Sequence, residues 1–287
     1  MDILVAGGNG FIGSHLVPEL LDDDHEVTVL ARSPDSNALP DAVETVSGDI
    51  TAYDSIESAV AGHDAVVNLV ALSPLFKPKG GDKMHDEVHR HGTENLVRAA
   101  EAGGVDRFVQ LSALGADPNG ATAYIRAKGQ AEAHVTDSEL DGVLIRPSVV
   151  FGEGGEFVSF TKKLKGMFAP GVPVYPLPGG GKTRFQPIYV DDLVGMLAET
   201  LTDDAHVGET YELGGPDNLT LREITNMVYE AEGKSVSIVS VPMALAGVGL
   251  TLGGKIPGFP MGADQYRSLQ FDNTTADNDI GAFGVEV

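Results

Sequence analysis

One short stretch near the N-terminus limits what this chain can fold into more than any other. Four strand-forming residues, Ile3-Leu4-Val5-Ala6, run directly into Gly7-Gly8-Asn9-Gly10-Phe11-Ile12-Gly13. An apolar-periodic run then continues through Leu16, Val17, Leu20 and Leu21, and Val27-Thr28-Val29-Leu30 reads as a second strand. Strand, glycine turn, helix and strand form a βαβ unit, and a unit that opens on such a turn is the frame of a dinucleotide site. The three spaced glycines have separate tasks. Gly7 allows the tight exit from the strand. Gly10, with no Cβ, lets a pyrophosphate approach the main chain, and Gly13 lets the helix pack close to the sheet. The helix start at Phe11 and Ile12 offers unbonded N–H groups and a partial positive charge, both suited to phosphate.

The end of the second strand bears on which dinucleotide would bind. A site that prefers NAD places a carboxylate about twenty residues beyond the glycines, on the ribose hydroxyls. This chain has Ala31-Arg32-Ser33 there. Arg32 suits a 2′-phosphate, so NADP is expected ahead of NAD, with Asp35 close enough to complicate the preference.

With 287 residues the chain can bury a large core, as one α/β unit or one and a half. It has no Cys, which removes disulfides, thiolate metal sites and a cysteine nucleophile. Acidic residues number 42 against 19 basic ones, giving a net charge of −23. No basic face is visible for nucleic acid. The acids are scattered rather than gathered in a tail, as in Asp22-Asp23-Asp24 and Asp203-Asp204. Self-repulsion on this scale destabilises a compact fold in dilute buffer. In molar salt the Debye length falls to about 3 Å and the penalty largely disappears, so a halophilic protein is expected. The first strand starts at once and no apolar run reaches spanning length, so a cytoplasmic location is expected.

Later elements continue the alternation. Strands are expected near Val43–Val46, Asp64–Val70, Arg107–Leu111 and Val143–Ile145, and helices over Tyr53–Ala61, Lys83–Ala102 and Ala121–Val135. The sequence therefore reads as an α/β, doubly wound parallel sheet of Rossmann type over residues 1–151. A smaller, discontinuous C-terminal substrate region is expected over 152–287, with 183–201 returning to the sheet core. Ala71, Leu72 and Ser73 follow a strand end, where ligands of such sheets sit, and are candidate cofactor neighbours. Phe185–Val190 has strand character, and Asp191-Asp192 reads as a helix start. Thr220 with Glu223 forms a capping box. Met243–Leu252 is apolar but too short to span a bilayer, so a pocket wall or an interface helix is expected. His85 and His89 are four apart in a helix and could share a face. No further ligands stand near them in the sequence, so no metal is expected and pocket-edge or solvated histidines are.

Tyr124 and Lys128 are also four apart on one helix and so point the same way. A free phenol, with a pKa near 10, is a poor base at neutral pH, and a neighbouring ammonium would lower it. Tyr124 could then exchange a proton with a carbonyl or alcohol oxygen. Ser112, at the end of the preceding strand, would hydrogen-bond the same oxygen, with Thr122 as a possible substitute.

Gly7 to Leu16, Leu111 to Gly115, Tyr124 to Lys128, Arg146 to Gly152 and Gln186 to Asp192 together resemble the extended and atypical short-chain dehydrogenases/reductases. Ser112-Ala113-Leu114-Gly115-Ala116-Asp117-Pro118 and Ala263-Asp264-Gln265-Tyr266 are similar to the branch of the complex I 39-kDa subunit, with the NmrA-like branch as neighbour. The resemblance implies a Ser112–Tyr124–Lys128 catalytic arrangement. It also implies cofactor contacts from Gly7, Gly10, Phe11, Ile12, Gly13, Arg32, Asp49, Ile50, Ala71, Lys128 and Pro147, with Asp49 near the adenine. The expected function is hydride transfer between NADP and a carbonyl or alcohol carbon of a small-molecule substrate. Two alternatives stand beside it. One is a non-catalytic NAD(P)H-binding assembly or sensor protein, complex I-associated or NmrA-like; association as a homo-oligomer or with a respiratory complex is expected on either reading. The other is a nucleotide-sugar epimerase or dehydratase, which would need tightly held NAD and a cation such as Arg184 for the diphosphate.

Overall fold

The structure is a computed structural model that describes residues 1–34, 39–172, 174–256 and 258–285. Asp35, named above beside Arg32, lies outside the described residues. The strands are β1 Asp2–Ala6, β2 Glu26–Ala31, β3 Glu44–Ser47, β4 Ala65–Asn68, β5 Arg107–Leu111, β6 Asp141–Pro147, β7 Val150–Phe151, β8 Val174–Pro178, β9 Arg184–Phe185, β10 Ile188–Tyr189, β11 Thr210–Leu213, β12 Leu219–Thr220 and β13 Ser237–Val241. The α-helices are α1 Phe11–Asp22, α2 Glu57–Val60, α3 Lys83–His85, α4 Gly92–Gly103, α5 Ala123–Thr136, α6 Glu156–Phe168, α7 Val190–Thr202, α8 Leu221–Glu230, α9 Met243–Gly253 and α10 Ala263–Ser268.

Seven strands form one sheet in the order β11-β6-β5-β4-β1-β2-β3, every neighbouring pair parallel. The fold is α/β with a doubly wound central sheet. Strands β1, β4 and β5 are buried along almost their whole length, as expected for a parallel sheet covered on both faces. One face packs against α1 and α7 through Leu16, Val17, Leu193 and Leu197, and the other against α4 through Leu96 and Ala100. The strand order reverses between β1 and β4, which opens a crevice above their carboxyl ends.

Three expected elements come out differently. Tyr53–Ala61 breaks into a 3₁₀ turn at Tyr53–Ser55 and α2, because the buried Ile56 between them leaves helical geometry (φ −121°). Phe185–Val190 is not one strand but the two-residue β9 and β10, separated by Gln186 and by Pro187, which has no N–H for a ladder. The helix expected over Lys83–Ala102 is continuous but carries a π turn at Asp86–His91 between α3 and α4.

Beyond β6 the chain divides its work. Val190, Leu193 and Val194 of α7 join the main-sheet core, as do Ile280 and Phe283 near the C-terminal end, which no sequence pattern marked. The remainder builds a second apolar cluster from α6, β8, α8 and α9, centred on Phe160, Tyr175, Leu177 and Leu250. The Thr220–Glu223 capping box is present, with the Thr220 N–H donating to Glu223 at 2.8 Å.

Candidate active site

The glycine turn fixes the floor of the crevice. Gly7 has φ +83°, a left-handed conformation that a side chain resists, and its N–H donates to Leu30 O at 2.8 Å. A Cβ on Gly13 would lie 2.4 Å from Gly8 Cα, so Gly13 is needed for contact with the turn itself rather than with the sheet as expected. Gly10 is the N-cap of α1, and a Cβ there would meet only Gly7 O, at 3.2 Å, leaving its outer side open. Helix α1 starts with no side-chain cap and no acidic residue in its first turn. Its leading N–H groups are thus available to an anion, which is the donor set a dinucleotide pyrophosphate requires.

A cavity of about 980 Å³ rises from this floor. Gly7, Gly10, Phe11, Ile12, Gly13, Ala71, Pro147, Ser112, Tyr124 and Lys128 all line it. Three residues expected to touch cofactor stand apart from that lining. Arg32 is exposed at the end of β2, near the glycine turn, where Asn9 Nδ2 donates to Ser33 O at 3.4 Å. Asp49 accepts from the N–H and hydroxyl of Thr51, at 3.0 and 2.8 Å, and so closes a local turn. Ile50 is buried under α4, where a Cβ on Gly92 would come within 2.5 Å of Ile50 Cδ1.

Helix α5 carries the titratable groups. Thr122 caps it, accepting from Ile125 N at 3.2 Å, and does not line the cavity, so it does not replace Ser112. Lys128 is 2% exposed, and its ammonium donates to Leu111 O at 2.7 Å. Burial lowers Lys128 to about 8, while the Glu132 carboxylate opposes the fall. The expected lowering of Tyr124 by Lys128 is not found. Burial pushes the Tyr124 phenol above its ordinary value, because desolvation outweighs an ammonium that is directed at Leu111.

The expectation for Ser112 also changes. Its hydroxyl donates to Glu132 Oε1 at 2.5 Å, and Arg146 forks onto the same carboxylate, Nε to Oε1 at 2.9 Å and Nη2 to Oε2 at 2.6 Å. With its proton given to Glu132, Ser112 can accept from a ligand but not donate to one. Glu132, which links Ser112 and Arg146 behind the site, is the residue that no motif marked. It stands four residues beyond Lys128 and eight beyond Tyr124, so the face of α5 that found the pair also contains it.

His85 and His89 are buried, at 1% and 2% exposure, so of the pocket-edge and solvated positions expected the solvated one is excluded. Their rings meet the Tyr124 ring edge-on, with centroids 5.6 and 5.2 Å away. His89 Nε2 accepts from Leu72 N at 2.9 Å, and burial holds His89 well below its ordinary pKa, so it is neutral. Among the described residues, the three groups that bring metal-type ligand atoms together are Glu199, Asp203 and His206, at the end of α7. Asp191, in the first turn of α7, accepts from His15 Nδ1 at 2.7 Å, tying α7 to α1.

Comparison with known proteins agrees with this geometry. Residues 7–167 match the NAD(P)H-binding family. Subunit 9 of the NADH dehydrogenase [ubiquinone] 1 alpha subcomplex of Arabidopsis thaliana is 29% identical, over 96% of this chain and 71% of that protein. A 3 beta-hydroxysteroid dehydrogenase/Delta 5-->4-isomerase of Mycobacterium tuberculosis is 30% identical, over 81% of this chain and 70% of that one. Among solved structures, the dTDP-glucose 4,6-dehydratase DesIV of Streptomyces venezuelae, with NAD and TYD bound, superposes with a TM-score of 0.70 at 25% identity, covering 84% of each chain. The chain belongs to the NAD(P)H-binding family, on a Rossmann-type sheet shared with dehydratases and dehydrogenases. No helix among the described residues is long and apolar enough to cross a membrane.

Proposed function

We propose that this protein is an NADP-dependent oxidoreductase of the atypical short-chain type, acting on a carbonyl or alcohol carbon with Tyr124 as acid/base. The observation that carries the reading is the convergence of the glycine turn, Tyr124 and Lys128 on one cavity. When bound, the dinucleotide supplies or accepts hydride at its nicotinamide ring. The chain's own residues do the rest. The leading N–H groups of α1 hold the pyrophosphate, which the missing Cβ of Gly10 lets come close, and Arg32 takes the 2′-phosphate. The phenol of Tyr124, protonated at neutral pH, donates its proton to the substrate oxygen during reduction. Lys128 holds ribose hydroxyls, and its charge is supported by Glu132. Ser112 positions Glu132 rather than the substrate.

A non-catalytic role in an assembly is the second reading. It is supported by the likeness to the Arabidopsis NADH dehydrogenase subunit across nearly the whole chain. The epimerase reading loses its cation, because Arg184 is exposed and outside the cavity lining.

The test is a fluorescence titration with NADPH and with NADH in molar salt, which also screens the −23 charge, followed by a carbonyl-reductase assay of wild type and Tyr124→Phe. The expected outcome is tighter NADPH than NADH binding, unchanged binding in Tyr124→Phe, and turnover down about 10²–10⁴-fold. Turnover unaffected by Tyr124→Phe would overturn the acid/base role, and NADH preference would overturn the role of Arg32.

A further inference from the structure

The cavity extends well past the glycine turn and Tyr124, and that extension has an unusual chemistry. Its walls are Phe160, Leu164, Leu177, Leu250, Phe259 and Met261, contributed by α6, β8, α9 and the segment before α10. Of all the described residues lining the cavity, only Lys128 and Glu156 are charged. There is no arginine among the described lining residues, and two neighbouring guanidinium groups have other partners, whereas that of Arg184 is exposed. Arg222 Nε donates to Gly180 O at 2.9 Å, and Arg267 Nη1 to Asp264 Oδ1 at 2.8 Å.

Most polar side chains in the extension are also committed within the protein, the amide nitrogen of Asn273 excepted. Tyr175 donates to Thr161 O at 2.8 Å, and Ser148 donates to Asn273. Gln265 gives its amide to Pro74 O at 3.2 Å and accepts from Gly262 N at 2.8 Å, and Ser268 donates to Asp264 O at 3.1 Å. A diphosphate or a sugar entering here would lose its water and meet few groups to replace it, which disfavours its binding. An apolar ligand meets no such cost. The mouth is apolar too, since Leu245 and Phe168 line the cavity while remaining 65% and 44% exposed.

We infer that the C-terminal half of the cavity takes an apolar alcohol or ketone of lipid size, with no phosphate or carboxylate, its oxygen at Tyr124 and its hydrocarbon body along α6 and α9. The inference rests on the oxidoreductase reading for the fate of that oxygen, but not for the binding of the hydrocarbon.

Thermal unfolding of the full chain in molar salt, with and without NADPH, tests it. The probes are 2-undecanone, butanone and UDP-glucose at equal concentration. The expected result is a rise of several degrees with 2-undecanone, little with butanone and none with UDP-glucose. Ala246 is a half-buried lining residue of α9, and Ala246→Trp should remove the undecanone shift while leaving the NADPH shift intact. A shift with UDP-glucose and none with 2-undecanone would overturn the inference, as would no shift with either. Undecanone stabilisation without any NADPH effect would support the apolar site and count against the oxidoreductase reading, so the two can fail separately.

Discussion

The dinucleotide end of the cavity is made of main chain, whereas the C-terminal end is made of side chains. At the first, positions are set by φ angles and by the absence of Cβ atoms at Gly7, Gly10 and Gly13. At the second, they are set by the bulk of Phe160, Leu164, Leu177 and Leu250, drawn from elements far apart in the chain. Helix α5 runs between them and carries the groups that both ends share, Tyr124 and Lys128. The difference teaches that one end recognises a fixed, charged shape through the backbone. On the proposal made above, the other would select by volume and dryness, so its ligand could change without disturbing the first.

Three perturbations would break or sharpen that contrast. The largest effect is expected from Phe160→Ala. Phe160 is buried against Phe76, with ring centroids 5.1 Å apart, and truncation should cost about 3–5 kcal/mol in a urea unfolding curve. NADPH affinity should be unchanged, and a parallel loss of affinity would show that the two ends are not independent.

Next is Lys128→Met, where the sign depends on pH. Burial lowers the ammonium from 10.5 to about 8, so between those values the unfolded chain holds a proton that the native chain does not. The stability contributed through this group therefore rises with pH across that window, and its cost is fully present below about 8. Lys128→Met should be more stable than wild type at pH 7 by up to about 3 kcal/mol. That advantage should shrink steadily as pH climbs from 8 toward 10.5. A constant difference across the window would mean that Lys128 is not the titrating group.

The smallest stability effect, and the sharpest contrast, comes from two glycines. Gly13→Ala forces a methyl to 2.4 Å from Gly8 Cα and should cost about 1–3 kcal/mol as well as NADPH binding. Gly10→Ala meets only Gly7 O at 3.2 Å, so it should leave the unfolding curve nearly unmoved and weaken NADPH binding alone. Equal destabilisation by both would show that Gly10 serves the fold rather than the ligand.

Much of the frame was legible in the residues because it is local. The βαβ unit, the run of Tyr124 and Lys128 along one helix face and the Thr220–Glu223 cap all follow from spacing within a few turns. Asp49 and Ile50 were placed on the cofactor by resemblance. The fold spends the first on the Thr51 turn and the second on packing under Gly92. The partner of Ser112 could not be read locally, because Glu132 reaches it from α5, with Arg146 of β6 holding that carboxylate in place. The burial of His85 and His89 was hidden for a similar reason. It involves Tyr124, which comes from a different helix and whose ring meets both imidazoles edge-on.

By itself, then, the sequence determined the doubly wound α/β frame, the glycine turn ahead of α1 and the face of α5 that carries Tyr124 and Lys128. Each rests on backbone conformation and short-range periodicity, which neighbouring residues dictate. Only the tertiary structure decided that Ser112 gives its proton to Glu132, that Tyr124 is raised rather than lowered, and that the cavity beyond it is apolar. Those outcomes depend on desolvation and on partners brought together across the chain, and neither desolvation nor distant contact has a local signature.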